Sequence, residues 1–178
     1  MPAGNRAYLE CAVALTIYTL AHVVISLVGI FSGLVVLFGL LASKRLDGWT
    51  ALFLTTTVLT SATGFFFPVR HILPSHILGF ISLVVLGVAI YARYSRRLAG
   101  AWRKAYVAGA VVALYLNVFV GIVQAFLKIP ALHALAPTQA EAPFKFTQLA
   151  VLVIFVALGV IAAARFREGP AKPATERS

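Results

Sequence analysis

From Ala7 to Ala42 a single charged residue, Glu10, interrupts an otherwise uncharged stretch. Four more long apolar runs follow: Trp49–Phe67, His76–Ala92, Tyr106–Leu127 and Phe146–Ala164. A bilayer core about 30 Å thick takes roughly 20 apolar residues per spanning helix. A soluble chain of 178 residues would not carry five such runs. The pattern predicts an all-α integral membrane bundle of about five transmembrane helices.

The first run is too long for one upright span. At 1.5 Å per residue, Ala7–Ala42 reaches about 54 Å as a helix. The expectation is that Tyr8–Ile17 forms an interfacial or protruding segment and that the true span lies near Tyr18–Ala42. A cleaved signal peptide fits poorly, because only Arg6 precedes Glu10 and the apolar run does not stop where a signal would. A two-span hairpin fits worse, since no turn residues break Leu20–Val28. Between the last two runs, Pro130, Pro137 and Pro143 exclude a long helix from Lys128–Lys145. Leu132, Leu135 and Phe144 suit that loop to the membrane surface. Glu168-Gly169-Pro170 should stop the last helix. The chain thus divides into an N-terminal segment (1–17), one transmembrane bundle (18–167) and a disordered tail (168–178).

Charge sets the orientation. With five spans, Lys44 and Arg45, then Arg93, Arg96, Arg97, Arg103 and Lys104, then Arg165, Arg167, Lys172 and Arg177 share one side. They are eleven of the fifteen basic residues. Arg6, Arg70, Lys128 and Lys145 fall on the other. The positive-inside rule places the N-terminus outside and the C-terminus in the cytoplasm of a bacterial inner membrane. Trp49, Trp102, Tyr91, Tyr94 and Tyr106 gather at the inner boundary, as an aromatic belt would.

Composition agrees: 61% of residues are hydrophobic, 11% are charged, and the mean hydropathy is +0.96. The lone Cys11 permits no intrachain disulfide. A net charge of +10 would point a soluble protein toward nucleic acid. Here it flanks spans and faces anionic head groups, so the partner it implies is the bilayer and not nucleic acid. Topology alone accounts for the cluster Arg93–Lys104.

Candidate chemistry begins with histidine. His22 lies near the outer end of the first span. His76 opens the third, with Pro74-Ser75 as a helix start and Ser75 as its N-cap. His71 and His133 are in outer loops, so all four histidines share one side. If the first and third helices touch, His22 and His76 sit at matching depth and can be read as axial ligands of a b-type haem. Gly29, Gly33 and Gly79 would leave room for the porphyrin. The plainer reading makes His22 a helix-contact residue and His76 an interfacial one. A metal site at His71, His133 and Glu141 is a remoter possibility, because no spacing matches an established motif.

The second span is rich in hydroxyls, and Thr56, Thr60 and Thr63 share a helical face. They suit a substrate path or, more simply, helix packing. Gly29 and Gly33 form a GxxxG element for close helix contact, within the monomer or in a homo-oligomer. On the fourth span, Asn117, Gly121 and Gln124 fall on one face, which polarity directs inward. Gln148 in the fifth is open to the same two uses. Among the motifs sought, no phosphate loop, hydrolase elbow, metalloprotease signature or acidic dyad occurs, and five acidic residues leave few candidates for acid–base catalysis.

Ile25–Ile30, Lys44–Phe53, Thr63–Pro68 and Leu135–Gln139 resemble segments of a family of small multi-pass inner-membrane proteins of proteobacteria. The resemblance implies an inner-membrane location and carries no site residues. A looser similarity to four-helix b-type cytochromes rests on histidines near helix ends alone, and the second intramembrane pair is missing. The leading expectation is a non-enzymatic accessory protein or small binding module, as a homo-oligomer or within a larger complex. The alternatives are a redox protein holding haem b or a metal at its outer-side histidines, and a small transporter using the polar second and fourth helices.

Overall fold

The computed structural model describes residues 3–67 and 74–166. Among them the chain forms six α-helices and no strand: α1 (Ala3–Leu41), α2 (Asp47–Gly64), α3 (Pro74–Ile90), α4 (Ala101–Lys128), α5 (Pro130–Leu135) and α6 (Ala142–Arg165). A π-helical turn, Tyr91–Ser95, continues α3. Four helical stretches are long and apolar enough to cross a membrane: Glu10–Leu41, His76–Ser95, Ala101–Lys128 and Ala142–Arg165. Helix α2, where the second of the five runs was expected to span, is not among the four. Its threonines, Ser61 and Asp47 dilute its hydropathy, although its 18 residues would reach about 27 Å.

The first apolar run is one unbroken helix. Its first part, 10–17, is exposed. The helix ends in a tight cap. Ser43 takes a positive φ of 54°. Its N–H donates to the Leu40 carbonyl at 3.1 Å, and the Lys44 N–H donates to the Gly39 carbonyl at 2.8 Å. This pair of bonds satisfies carbonyls that the helix end would otherwise leave open. Between α4 and α6 the chain forms the short, exposed α5, in keeping with the prolines there. Helix α3 begins at Pro74, so Ser75 lies inside the first turn and not at the N-cap.

Helices α1 and α2 pack antiparallel, from Phe31 against Trp49 at one end to Tyr18 against Phe67 at the other. Helix α3 packs on α2 and α4, and α6 on α4 and α1. The core is apolar and dense toward the α2 N-terminus: Leu37, Phe53, Leu54, Leu86, Ala89, Tyr106, Val107, Ala110 and Leu114 are buried. Close backbone approach explains why Gly33 belongs here. A Cβ at Gly33 would stand 2.6 Å from Leu114 Cδ1 and 2.8 Å from the Phe53 ring. The GxxxG element is therefore used inside the monomer, where α1 meets α2 and α4. Tyr106, expected in the interfacial belt, is fully buried in the core. Trp49, Tyr91 and Tyr94 remain exposed.

Candidate functional site

Two groups of residues could carry chemistry: a polar seam in the half of the bundle that holds His22, and a basic cleft at the other end. The seam starts at His22, whose Nδ1 lies 2.8 Å from Thr63 Oγ1. The Thr63 hydroxyl in turn donates to the Leu59 carbonyl at 2.6 Å. Tyr18 donates to the Thr63 carbonyl at 2.6 Å, so α1 grips the end of α2 through one residue. Such back-bonding disposes of a hydroxyl inside a helix without a solvent partner. Further along, Ser26 Oγ donates to Asn117 Oδ1 at 3.0 Å and joins α1 to α4. Ser61 donates to Ser82 at 3.0 Å and joins α2 to α3. Gln148 Nε2 donates to the Phe119 carbonyl at 3.2 Å and joins α6 to α4.

Gly29 is the centre of the seam. A Cβ there would lie 3.0 Å from Asn117 Nδ2, 3.3 Å from Thr56 Oγ1 and 3.4 Å from Thr57 Oγ1. Thr56 bonds its own helix at the Leu52 carbonyl, 2.7 Å away. Asn117 Nδ2, Thr57 Oγ1, Thr60 Oγ1 and Gln148 Oε1 are buried without a protein partner. The seam is thus polar but only partly bonded. Asn117 points inward as its face predicts. Gln124, seven residues later, is exposed, so the inward face does not extend to it.

His22 packs edge-on against Phe67 at 5.1 Å, and His76 lies 5.6 Å from Phe65. Each ring leans on the C-terminal end of α2, one from α1 and one from α3, and α2 packs between those two helices. The phenylalanine beside each histidine, Phe67 or Phe65, follows the C-terminal end of α2. That arrangement supports helix contact as the role of His22. His71 lies outside the described residues. Among the described residues no group of three His, Cys, Asp or Glu side chains gathers to hold a metal. Glu141 instead closes its own turn, accepting bonds from the Thr138 hydroxyl at 2.8 Å and the Thr138 N–H at 3.2 Å. The Thr138 bond holds its carboxyl below the ordinary value of 4.5. His133 sits exposed in α5.

The second group was counted in the sequence only as topological charge. Arg93, in the π-helical turn, is buried. Its guanidinium pairs with Asp47 at the start of α2 and lies over the Tyr106 ring at 5.1 Å. Arg45 reaches the same carboxylate oxygen at 3.6 Å. The Tyr106 hydroxyl approaches Thr50 Oγ1 at 3.4 Å. Arg93, Arg45, Tyr106 and Thr50, with Lys44, Val36, Leu40, Leu46 and Phe166, line a tight cleft that leaves no room for a water molecule.

The seam and cleft belong to an all-helical membrane-type bundle, the class that the four long apolar helices define. Comparison of the chain with protein families, curated proteins and solved structures found no match.

Proposed function

We propose that this chain is a five-crossing protein of a bacterial inner membrane and works as an accessory or small binding module, with the N-terminus outside and the C-terminus in the cytoplasm. One observation carries the reading. The intramembrane polar side chains that a cofactor or substrate would need are largely committed to helix contacts: His22 to Thr63, Ser26 to Asn117, Ser61 to Ser82 and Gln148 to Phe119. Polar groups used this way hold membrane helices together. Helix α2 is the fifth crossing. It runs alongside α1 from the basic end to the His22 end, and its hydroxyls, the exposed Thr55 apart, turn inward, bond a neighbouring helix or bond their own backbone, as lipid contact demands. The positive-inside rule then puts Lys44, Arg45, Arg93, Arg96, Arg97, Arg103, Lys104 and Arg165 in the cytoplasm. The resemblance to proteobacterial inner-membrane proteins points to the same location.

Purification from its own membrane in mild detergent tests the module. The expected result is a defined assembly larger than the 19.1 kDa chain, as a homo-oligomer or with other subunits, without haem absorption. A lone monomer whose reduced spectrum shows haem bands, lost in His22→Ala, would overturn the proposal in favour of a redox protein.

A further inference from the structure

We propose that α2 and α3 enter the membrane together, as a helical hairpin that the Asp47–Arg93 ion pair closes at its basic end. This rests on the five-crossing reading and adds which helix takes α2 across. Helix α2 carries seven hydroxyl side chains in its 18 residues. It is not among the helices long and apolar enough to cross, whereas α3 with its π-helical turn is. An α2 that entered alone would show those hydroxyls to lipid, which offers them no partner. In the bundle Thr50, Thr56 and Thr57 are buried. Parity couples α2 to α3. If α3 crossed without α2, the bilayer would separate Lys44 and Arg45 from the cluster Arg93–Lys104, against the positive-inside rule. Both helices crossing, or neither, keeps those basic residues on one side.

Contacts run the length of the pair. At the far end Phe65, just past α2, lies 5.6 Å from His76, and a Cβ at Gly79 would stand 3.3 Å from the Phe65 ring. Further in, Ser61 Oγ donates to Ser82 Oγ at 3.0 Å. At the basic end the Arg93 guanidinium pairs with the Asp47 carboxylate. That pair is the contact that reports the hairpin. Arg45 lies 3.6 Å from the same oxygen, but it stands two residues from Asp47 and needs no second helix to reach it. Arg93 is 46 residues further along and meets Asp47 only when the two helices lie antiparallel, side by side. The Arg93 side chain is 4% exposed and lies 5.1 Å from the Tyr106 ring of α4. A guanidinium buried this far is costly without its carboxylate. Asp47 therefore ties the start of the more polar helix to the end of the more apolar one.

The test places one reporter cysteine, Phe66→Cys, between the two helices of the full chain in a Cys11→Ser background. A membrane-impermeant maleimide is applied to either face of the membrane, and the fraction labelled from the outer face is read. Arg93→Asp and Asp47→Arg should each lower that fraction at least twofold, and the two together, which restore a pair of opposite charges, should recover at least half of the loss. Asp47→Arg adds a positive charge on the cytoplasmic side, which the positive-inside rule alone would favour, so a fall in that variant reports the pair. Arg97→Asp makes the same change of charge as Arg93→Asp at an exposed position and should leave the fraction within one tenth of the parent. A second reporter, Ala134→Cys, should label from the outer face in every variant, because losing the hairpin leaves α4 and α6 in place. Unchanged labelling in both single variants, an equal fall in Arg97→Asp, or a swap that recovers nothing would overturn the proposal and leave five crossings standing. Labelling of Phe66→Cys from the cytoplasmic face in the parent would overturn both.

Discussion

The two halves of the bundle are held together by different physics. Toward the basic end, α1, α2 and α4 interlock chiefly through the apolar contacts of Gly33, Phe53 and Leu114. Toward the His22 end the same helices meet through Gly29, Thr56, Thr57, Asn117 and Ser26. One glycine of the GxxxG element serves each half. In a membrane, apolar packing gains no hydrophobic drive from lipid, so close fit has to supply the adhesion. The apolar half has that fit. The polar half trades some of it for interhelical hydrogen bonds and leaves several polar atoms unpaired.

Substitutions in the two halves should therefore differ in size and even in sign. The largest effect is expected for Gly33→Val, whose Cβ would meet Leu114 and Phe53 well inside contact distance. Overpacking of this kind costs about 1–3 kcal/mol or more, seen as a lower unfolding midpoint in detergent. A Gly33→Val protein as stable as the parent would show that the apolar half is not interlocked here. In the polar half, Asn117→Leu removes the partner of Ser26. A double-mutant cycle with Ser26→Ala should give a coupling of about 0.6 kcal/mol, the average for such bonds in membranes. A coupling near zero would take that bond out of the account.

Thr57→Val sharpens the contrast. The Thr57 hydroxyl is buried and unpaired, and replacing an unsatisfied polar group with an apolar one of the same shape is neutral or stabilising. A clear loss of stability would mean that Thr57 has a bound partner, such as a ligand in the seam. The smallest effect belongs outside the bundle. Glu141, held below its ordinary value by the Thr138 bond, stabilises its turn above the ordinary carboxylate range, and this stabilisation fades as pH falls through the lowered value. Glu141→Gln should speed amide exchange in residues 138–141 near pH 7 and match the parent in strong acid. Equal exchange at both pH values would remove the carboxylate from the turn.

Periodicity revealed much of this and missed the rest for identifiable reasons. The long apolar helices were legible because membrane spans are uniformly apolar, and the inward turn of Asn117 followed from its polarity. Gln124 did not follow its face, because spacing defines a stripe on one helix while the crossing angles of its neighbours decide how far along that stripe they reach. Helix α2 read as a span by length, yet its threonines keep it below the apolar content of its neighbours. Tyr106 looked interfacial because it stands near the charge cluster, and it is in the core because Arg93 and Thr50 come inward to meet it. The part played by Ser26 had a signal that went unused. It precedes Gly29 by three residues and Gly33 by seven, so a stripe of small residues marks where α1 faces α2 and α4.

The central claim, that α2 crosses the membrane and puts the basic cleft in the cytoplasm, is tested most directly by site-specific labelling. In a Cys11→Ser background, single cysteines at Lys44, Phe66, Arg96 and Ala134 would be exposed to a membrane-impermeant maleimide in oriented inner-membrane vesicles. The account predicts that Lys44→Cys and Arg96→Cys react from the cytoplasmic face and Phe66→Cys and Ala134→Cys from the opposite face. Labelling of Lys44→Cys and Phe66→Cys from the same face would contradict it.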